Sequence, residues 1–113
     1  MDEQNELISV AMQIILHAGD ARNLARESLS LAKNFEFEKA DYKLKEAEES
    51  LVLAHKSQTE IIQNEASGHS YQFSLLFAHA QDTLMTIQSE LKMSKEMIDI
   101  LKIISKQGGE RDE

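Results

Sequence analysis

From Phe37 onward, apolar residues recur in alternating steps of three and four. The series is Phe37, Ala40, Leu44, Ala47, Leu51, Ala54 and Ile61, with Gln58 in the same register. This spacing predicts a helix with a coiled-coil-like seam. Lys39, Lys43, Glu46, Glu49 and Lys56 fall on its outward face. A looser repeat of Leu7, Ala11, Ile14, Ala18, Ala21, Ala25 and Ala32 predicts an earlier helix, and its alanines permit close helix approach. A third series, Leu76, Ala80, Leu84, Ile87, Leu91, Ile98 and Leu101, predicts a last helix that closes the core.

The breaks between these patterns are few. The chain has no proline and four glycines. Gly68, in EASGHSYQ, marks a loop. Gly108 and Gly109 lie in the polar ending SKQGGERDE, which predicts a flexible tail over 107–113. Gly19 sits inside a helical pattern. The other break falls at 34–36, where Asn34 is expected to take the left-handed conformation that ends a helix and Glu36 to start the next. Three helices follow, roughly 3–33, 37–66 and 74–106. Short connections imply antiparallel neighbours. The expected fold is a single all-α domain over 1–113, an up-down-up three-helix bundle.

The last helix carries a second stripe of the same period: Leu75, His79, Asp82, Thr86, Ser89, Met93, Met97, Ile100 and Ile104. A helix apolar on much of its circumference needs more than one partner surface. In so short a chain the second surface is expected to come from another copy. The alternative is a broad core face in a monomer, but the polar members of this stripe sit together rather than scattered.

Composition narrows the function classes. A length of 113 residues suits one domain with one core. With 42% hydrophobic and 28% charged residues, the chain is an ordinary globular one. A net charge of −8 with no basic stripe disfavours nucleic acid and anionic membrane surfaces. It would suit a basic protein partner, though solubility alone also accounts for it. No cysteine is present, which excludes disulfides, thiolate catalysis and cysteine metal sites. The N-terminal MDEQNELISV has no signal-peptide pattern, and no apolar run approaches the ~20 residues of a membrane helix. A cytoplasmic protein without membrane insertion is expected.

Candidate chemistry concentrates in SLLFAHAQDTLMT, residues 74–86. Of the four histidines, His69 falls in the predicted loop, and His17 and His55 are expected to be structural. His79 has Asp82 at i+3 and Thr83 at i+4 on its own helix face, while Gln81 points about 200° away. Three readings of His79 compete. A metal site needs more ligands than one His and one Asp. A hydrolase triad lacks a supported nucleophile, since Ser74 and Thr83 have no elbow or glycine-rich oxyanion loop. A neutral imidazole can itself be the nucleophile, given an exposed nitrogen and a fixed tautomer.

The segment LLFAHAQDTLMT resembles the HAQDHLMT signature of the lactose/cellobiose-type enzyme IIA family of the bacterial phosphoenolpyruvate-dependent sugar phosphotransferase system. The likeness extends to HAGDAR at 17–22, to EKADYKLKEAEESLVLAHKSQTEIIQNEASG at 38–68, and to the closing helix. It implies that His79 accepts a phosphoryl group from the phosphocarrier protein HPr and passes it to a cognate enzyme IIB, for uptake of a lactose-, cellobiose- or chitobiose-type disaccharide. It implies a homotrimer in which Asp82 of three copies meets at the axis and holds a divalent metal ion, with Mg²⁺ expected, and no organic cofactor. Three converging carboxylates would repel and lose solvation, and a hard cation or shared protons would offset both. Where the family signature has a second histidine, this chain has Thr83, one turn from His79 and within reach of a ring nitrogen or a phosphoryl oxygen. The alternatives are a non-enzymatic three-helix interaction module and a non-phosphorylated regulatory relative. The sugar is not encoded in this chain, because the membrane component binds it.

Overall fold

The computed structural model describes residues 2–111. It contains three helices: α1 (Asp2–Lys33), α2 (Phe37–Ala66) and α3 (Leu75–Arg111). They form an up-down-up bundle, 68 × 19 × 19 Å, and no strand occurs among the described residues. The core is the expected one. Leu7, Ala11, Ile14, Ala18, Ala21, Ala25 and Ala32 of α1 are buried, with Ala40, Leu44, Ala47, Leu51, Ala54 and Ile61 of α2 and Ala80, Leu84, Ile87, Leu91 and Ile98 of α3. Burying an Ile or Leu side chain such as Ile14 or Leu84 stabilises the bundle by roughly 1.5–3 kcal/mol.

α1 is the shared partner. It packs along both other helices, whereas α2 and α3 meet over a shorter contact. The alanines explain this, since small residues on the seam let the backbones approach. Ser28 is buried in that seam, and its hydroxyl donates to the Ala40 carbonyl at 2.6 Å. Polar ties fix the remaining pair. Lys102 donates to both carboxylate oxygens of Asp41 at 2.9 Å, and His55 Nε2 lies 3.2 Å from Gln88 Oε1.

Two boundaries differ from expectation. The left-handed residue after α1 is Phe35 (φ 62°), not Asn34. Phe35 N–H donates to Ala32 O at 3.0 Å and Glu36 N–H to Leu31 O at 3.0 Å. That is the paired closure in which the residue after the C-cap turns left-handed, so Asn34 is the cap itself. The Phe35 ring stands edge-on to Phe37, centroids 6.0 Å apart, which offsets part of the backbone strain. At the other end, α3 continues to Arg111 rather than stopping near 106. Glycine in a helix loses only about 1 kcal/mol against alanine, and no proline intervenes. Residues 107–111 of the expected tail are therefore helical, and its last two, 112 and 113, lie outside the described residues.

The α2–α3 loop has the expected glycine turn, with Gly68 at φ +105°. His69 N–H donates to Asn64 O at 3.0 Å, and Asn64 Nδ2 donates to the Tyr71 hydroxyl at 3.0 Å. These bonds pin the chain just before α3 and set where that helix begins.

Candidate functional site

Ser74 starts α3. Its hydroxyl accepts the Phe77 N–H at 3.1 Å, and its carbonyl accepts the Ala78 N–H at 3.0 Å. This is the side-chain cap that serine provides well. His79 follows one turn later and is exposed. Helical side chains lean toward the N-terminus, and Leu75, one turn before His79, is 77% exposed. The helix N-terminus carries partial positive charge from its unpaired N–H groups, so an anionic group on His79 is favoured there.

The structure keeps His79, Asp82, Thr86, Ser89, Met93 and Met97 on one uncovered stripe, all of them exposed. Among the described residues Asp82 makes no ion pair, and no group of three or more His, Cys, Asp or Glu could hold a metal. One chain contributes one free carboxylate, so a metal at Asp82 would have to draw its other ligands from further copies. Thr83 turns to the backbone of its own helix. Its hydroxyl donates to the His79 backbone carbonyl at 2.8 Å, not to the ring. Threonine in a helix readily bonds the carbonyl four residues back.

The other histidines are engaged elsewhere. His55 bridges α2 to Gln88 on α3, and His69 Nδ1 lies 3.6 Å from Glu3 Oε1 on the exposed loop. His17 is half-buried on α1. Gln81, pointing away as expected, is half-buried against Leu7, Ile61 and Phe77.

Sequence reasoning missed the flank of the stripe. Arg22 of α1 forms a two-pronged ion pair with Glu90 of α3, both bonds 2.8 Å. The hydrogen bonds from Arg22 hold the Glu90 carboxyl below its ordinary value of 4.5 and raise the Arg22 guanidinium, with burial opposing both shifts. Arg22, Arg26 and Leu29 face Thr86, Ser89, Met93 and Met97 across an open groove between α1 and α3. The only sequence signal for this pair was a basic residue within HAGDAR, and nothing local points from it to position 90.

The arrangement is a three-helix bundle with an exposed imidazole at a capped helix start, beside a long uncovered stripe. The family "PTS system, Lactose/Cellobiose specific IIA subunit" matches residues 9–102. The lichenan-specific phosphotransferase enzyme IIA component of Bacillus subtilis (strain 168) is 42% identical over 104 residues, covering 92% of this chain and 94% of that protein. Among solved structures, the cellobiose-specific enzyme IIA of Bacillus anthracis superposes with a TM-score of 0.82 at 38% identity, over 86% of this chain and 89% of that one. IIA(Chitobiose) of the Escherichia coli phosphotransferase system, solved as its complex with HPr, superposes with a TM-score of 0.77 at 31% identity, over 88% and 96%. The chain belongs to the lactose/cellobiose-specific enzyme IIA family and is a component of the sugar phosphotransferase system.

Proposed function

We propose that this protein is a phosphocarrier whose single transiently phosphorylated residue is His79. Phosphorylated HPr is the donor, and a cognate enzyme IIB is the acceptor. The observation that carries this reading is the placement of His79, the one histidine exposed on a helix, at the capped start of α3. An unprotonated imidazole nitrogen attacks the phosphorus held on HPr. The new N–P bond forms as the old one breaks, and its electron pair returns to the departing ring nitrogen of HPr. The reverse displacement onto a nucleophile of IIB completes the relay. Catalysis is mainly positioning, because the partners bring two nitrogens into line on one phosphorus. The positive helix start favours the phosphoryl oxygens.

The working unit in this reading is a cytoplasmic homotrimer in which the His79–Asp82–Thr86–Ser89–Met93 stripes converge, Asp82 nearest the axis. Its exposed carboxylate suits a hard divalent cation such as Mg²⁺, which would supply charge neutralisation between the copies. No organic cofactor takes part. The cargo is a lactose-, cellobiose- or chitobiose-type disaccharide. Both HPr and IIB must reach the same nitrogen, so they compete for one face. Unphosphorylated IIB titrated into a complex with HPr should displace it, and simultaneous binding would sink that part of the model.

The deciding experiment is incubation with phosphoenolpyruvate, enzyme I and HPr, followed by intact mass measurement. An adduct of about 80 Da is expected, labile in acid and stable in base as an N–P bond requires. His79→Ala should lose it entirely with helix content unchanged, whereas His17→Ala and His55→Ala should retain it. Full phosphorylation of His79→Ala would remove the assignment.

A further inference from the structure

We infer that Asn64 is a positioning residue for phosphoryl transfer to His79, acting through Tyr71 and the Ser74 cap. This role presupposes the phosphocarrier reading above and adds to it the groups that hold the first turn of α3 in place.

The first observation is how little holds the segment that leads into α3. Among the described residues, the backbone of 70–73 makes no hydrogen bond to another backbone group. Gln72 and Phe73 are exposed. Packing supports the segment only in part, because a cleft of about 200 Å³ lies against it. Leu7 of α1, Ile61 and Glu65 of α2, and Phe77 and Gln81 of α3 wall that cleft, with Tyr71 and Ser74 on its rim. The anchor is Tyr71. Its ring is half-buried against the core, and its hydroxyl accepts a hydrogen bond from Asn64 Nδ2 at 3.0 Å.

The second observation is that the Asn64 amide has no spare donor. An Asn side chain carries two amide protons. Here Nδ2 donates to Glu6 Oε1 of α1 at 3.2 Å as well as to Tyr71, so both are committed. The Asn64 backbone carbonyl also accepts the His69 N–H at 3.0 Å, just past the Gly68 turn. One residue therefore ties together the end of α2, the start of α1 and the loop.

The third observation is level. α2 and α3 run antiparallel in the register set by Asp41–Lys102 and His55–Gln88. Asn64 lies nine residues after His55, and His79 lies nine before Gln88, so the two are level. The clasp closes the bundle at the height of the imidazole. Only Gln72 and Phe73 separate Tyr71 from Ser74. Ser74 in turn accepts the Phe77 N–H on its hydroxyl and the Ala78 N–H on its carbonyl, and His79 is the next residue. Without the Asn64 bond, Tyr71 has no polar tie and the segment is free to settle into the cleft, carrying Ser74 and the first turn with it. Transfer in line between two ring nitrogens tolerates little of this, since a misplacement of about 1 Å can cost ~100-fold in rate. Leu84 and Ile87, in the core below, keep their partners.

An exchange of donor and acceptor tests the clasp. Asn64→Asp keeps the shape, removes both donors and sets a carboxylate against Glu6. Adding Glu6→Gln restores the bonds in reverse, because the new amide at position 6 and the Tyr71 hydroxyl both donate to the new carboxylate. The exchanged pair carries the same charge as the original. Transfer from phosphorylated HPr is followed by rapid quench over a range of HPr concentrations. Asn64→Asp should lower the saturating rate by about fivefold or more. The half-saturating HPr concentration should stay within roughly twofold of wild type, and the exchanged pair should recover most of the rate. The Phe77 and Ala78 amides should exchange with solvent about tenfold faster in Asn64→Asp, with the Leu84 amide unchanged. Tyr71→Phe, which removes only the hydroxyl, should lower the saturating rate in the same sense and decides the matter if Asn64→Asp does not fold. An unchanged saturating rate in the folded variants, with His79 phosphorylated in wild type, overturns the inference and leaves the phosphocarrier reading standing. A raised half-saturating concentration at constant saturating rate would make the clasp a docking contact and also overturns it. Wild type that takes no phosphoryl group on His79 overturns the phosphocarrier reading itself.

Discussion

The two stripes of α3 have the same period and opposite fates. Leu84 and Ile87 of the first are fully buried, while Met93 and Ile100 of the second are 55% and 54% exposed. Both follow from one helical repeat. The difference lies in supply: α1 and α2 together cover one side of α3 and have no surface left for the other. Hydrophobic period records which side chains share a face, and the bundle decides which of those faces its own helices cover.

Substitutions can sharpen this contrast. Leu84→Ala removes a core side chain from the first stripe and should lower bundle stability by about 2–5 kcal/mol, read from chemical denaturation. Met97→Asp, on the second stripe, should change monomer stability by no more than ~0.5 kcal/mol, as is usual at exposed positions. It should nonetheless weaken self-association about tenfold or more, seen by sedimentation velocity. Equal loss of bundle stability in the two variants would erase the distinction.

Asp82 tests the polar part of the second stripe. In the proposed trimer Asp82→Leu removes the carboxylate repulsion and adds apolar surface, so that trimer should be no weaker than wild type and insensitive to chelator. Wild type with chelator should be weaker at neutral pH. An Asp82→Leu monomer would mean that the carboxylate holds the assembly through other contacts.

The smallest effect concerns the Arg22–Glu90 pair at the edge between the stripes. The folded Glu90 carboxyl titrates below its ordinary 4.5. Its contribution is therefore present above that value and is lost as pH falls through the depressed one. Both side chains are about a third or more exposed, at 32% and 43%, so screening keeps the contribution within about 1 kcal/mol. Glu90→Gln should flatten the acid limb of a stability-against-pH curve by that amount and leave the neutral limb nearly parallel to wild type. An unaltered acid limb would assign the pair no stabilising role.

Sequence reasoning reached the three helices, their core seams, the glycine turn at Gly68 and the exposed stripe with His79 and Asp82. All of these follow from interactions within a few residues: period, propensity and turn chemistry act locally, and a local pattern states them. The local reading failed where two nearby groups could each do the same job. The sequence points to Asn34 as the left-handed helix-ending residue, and the bonds back to Leu31 and Ala32 put the next residue, Phe35, in that conformation instead. Thr83 could have faced the ring or the backbone, and the carbonyl of His79, always within reach in a helix, took its proton. What the chain order could not express at all was the register between helices far apart in sequence. Arg22 meets Glu90, and Asp41 meets Lys102, across separations of 68 and 61 residues. Those pairings depend on how alanine-lined helices settle against one another, so the offset between α1 and α3 belongs to the packing alone.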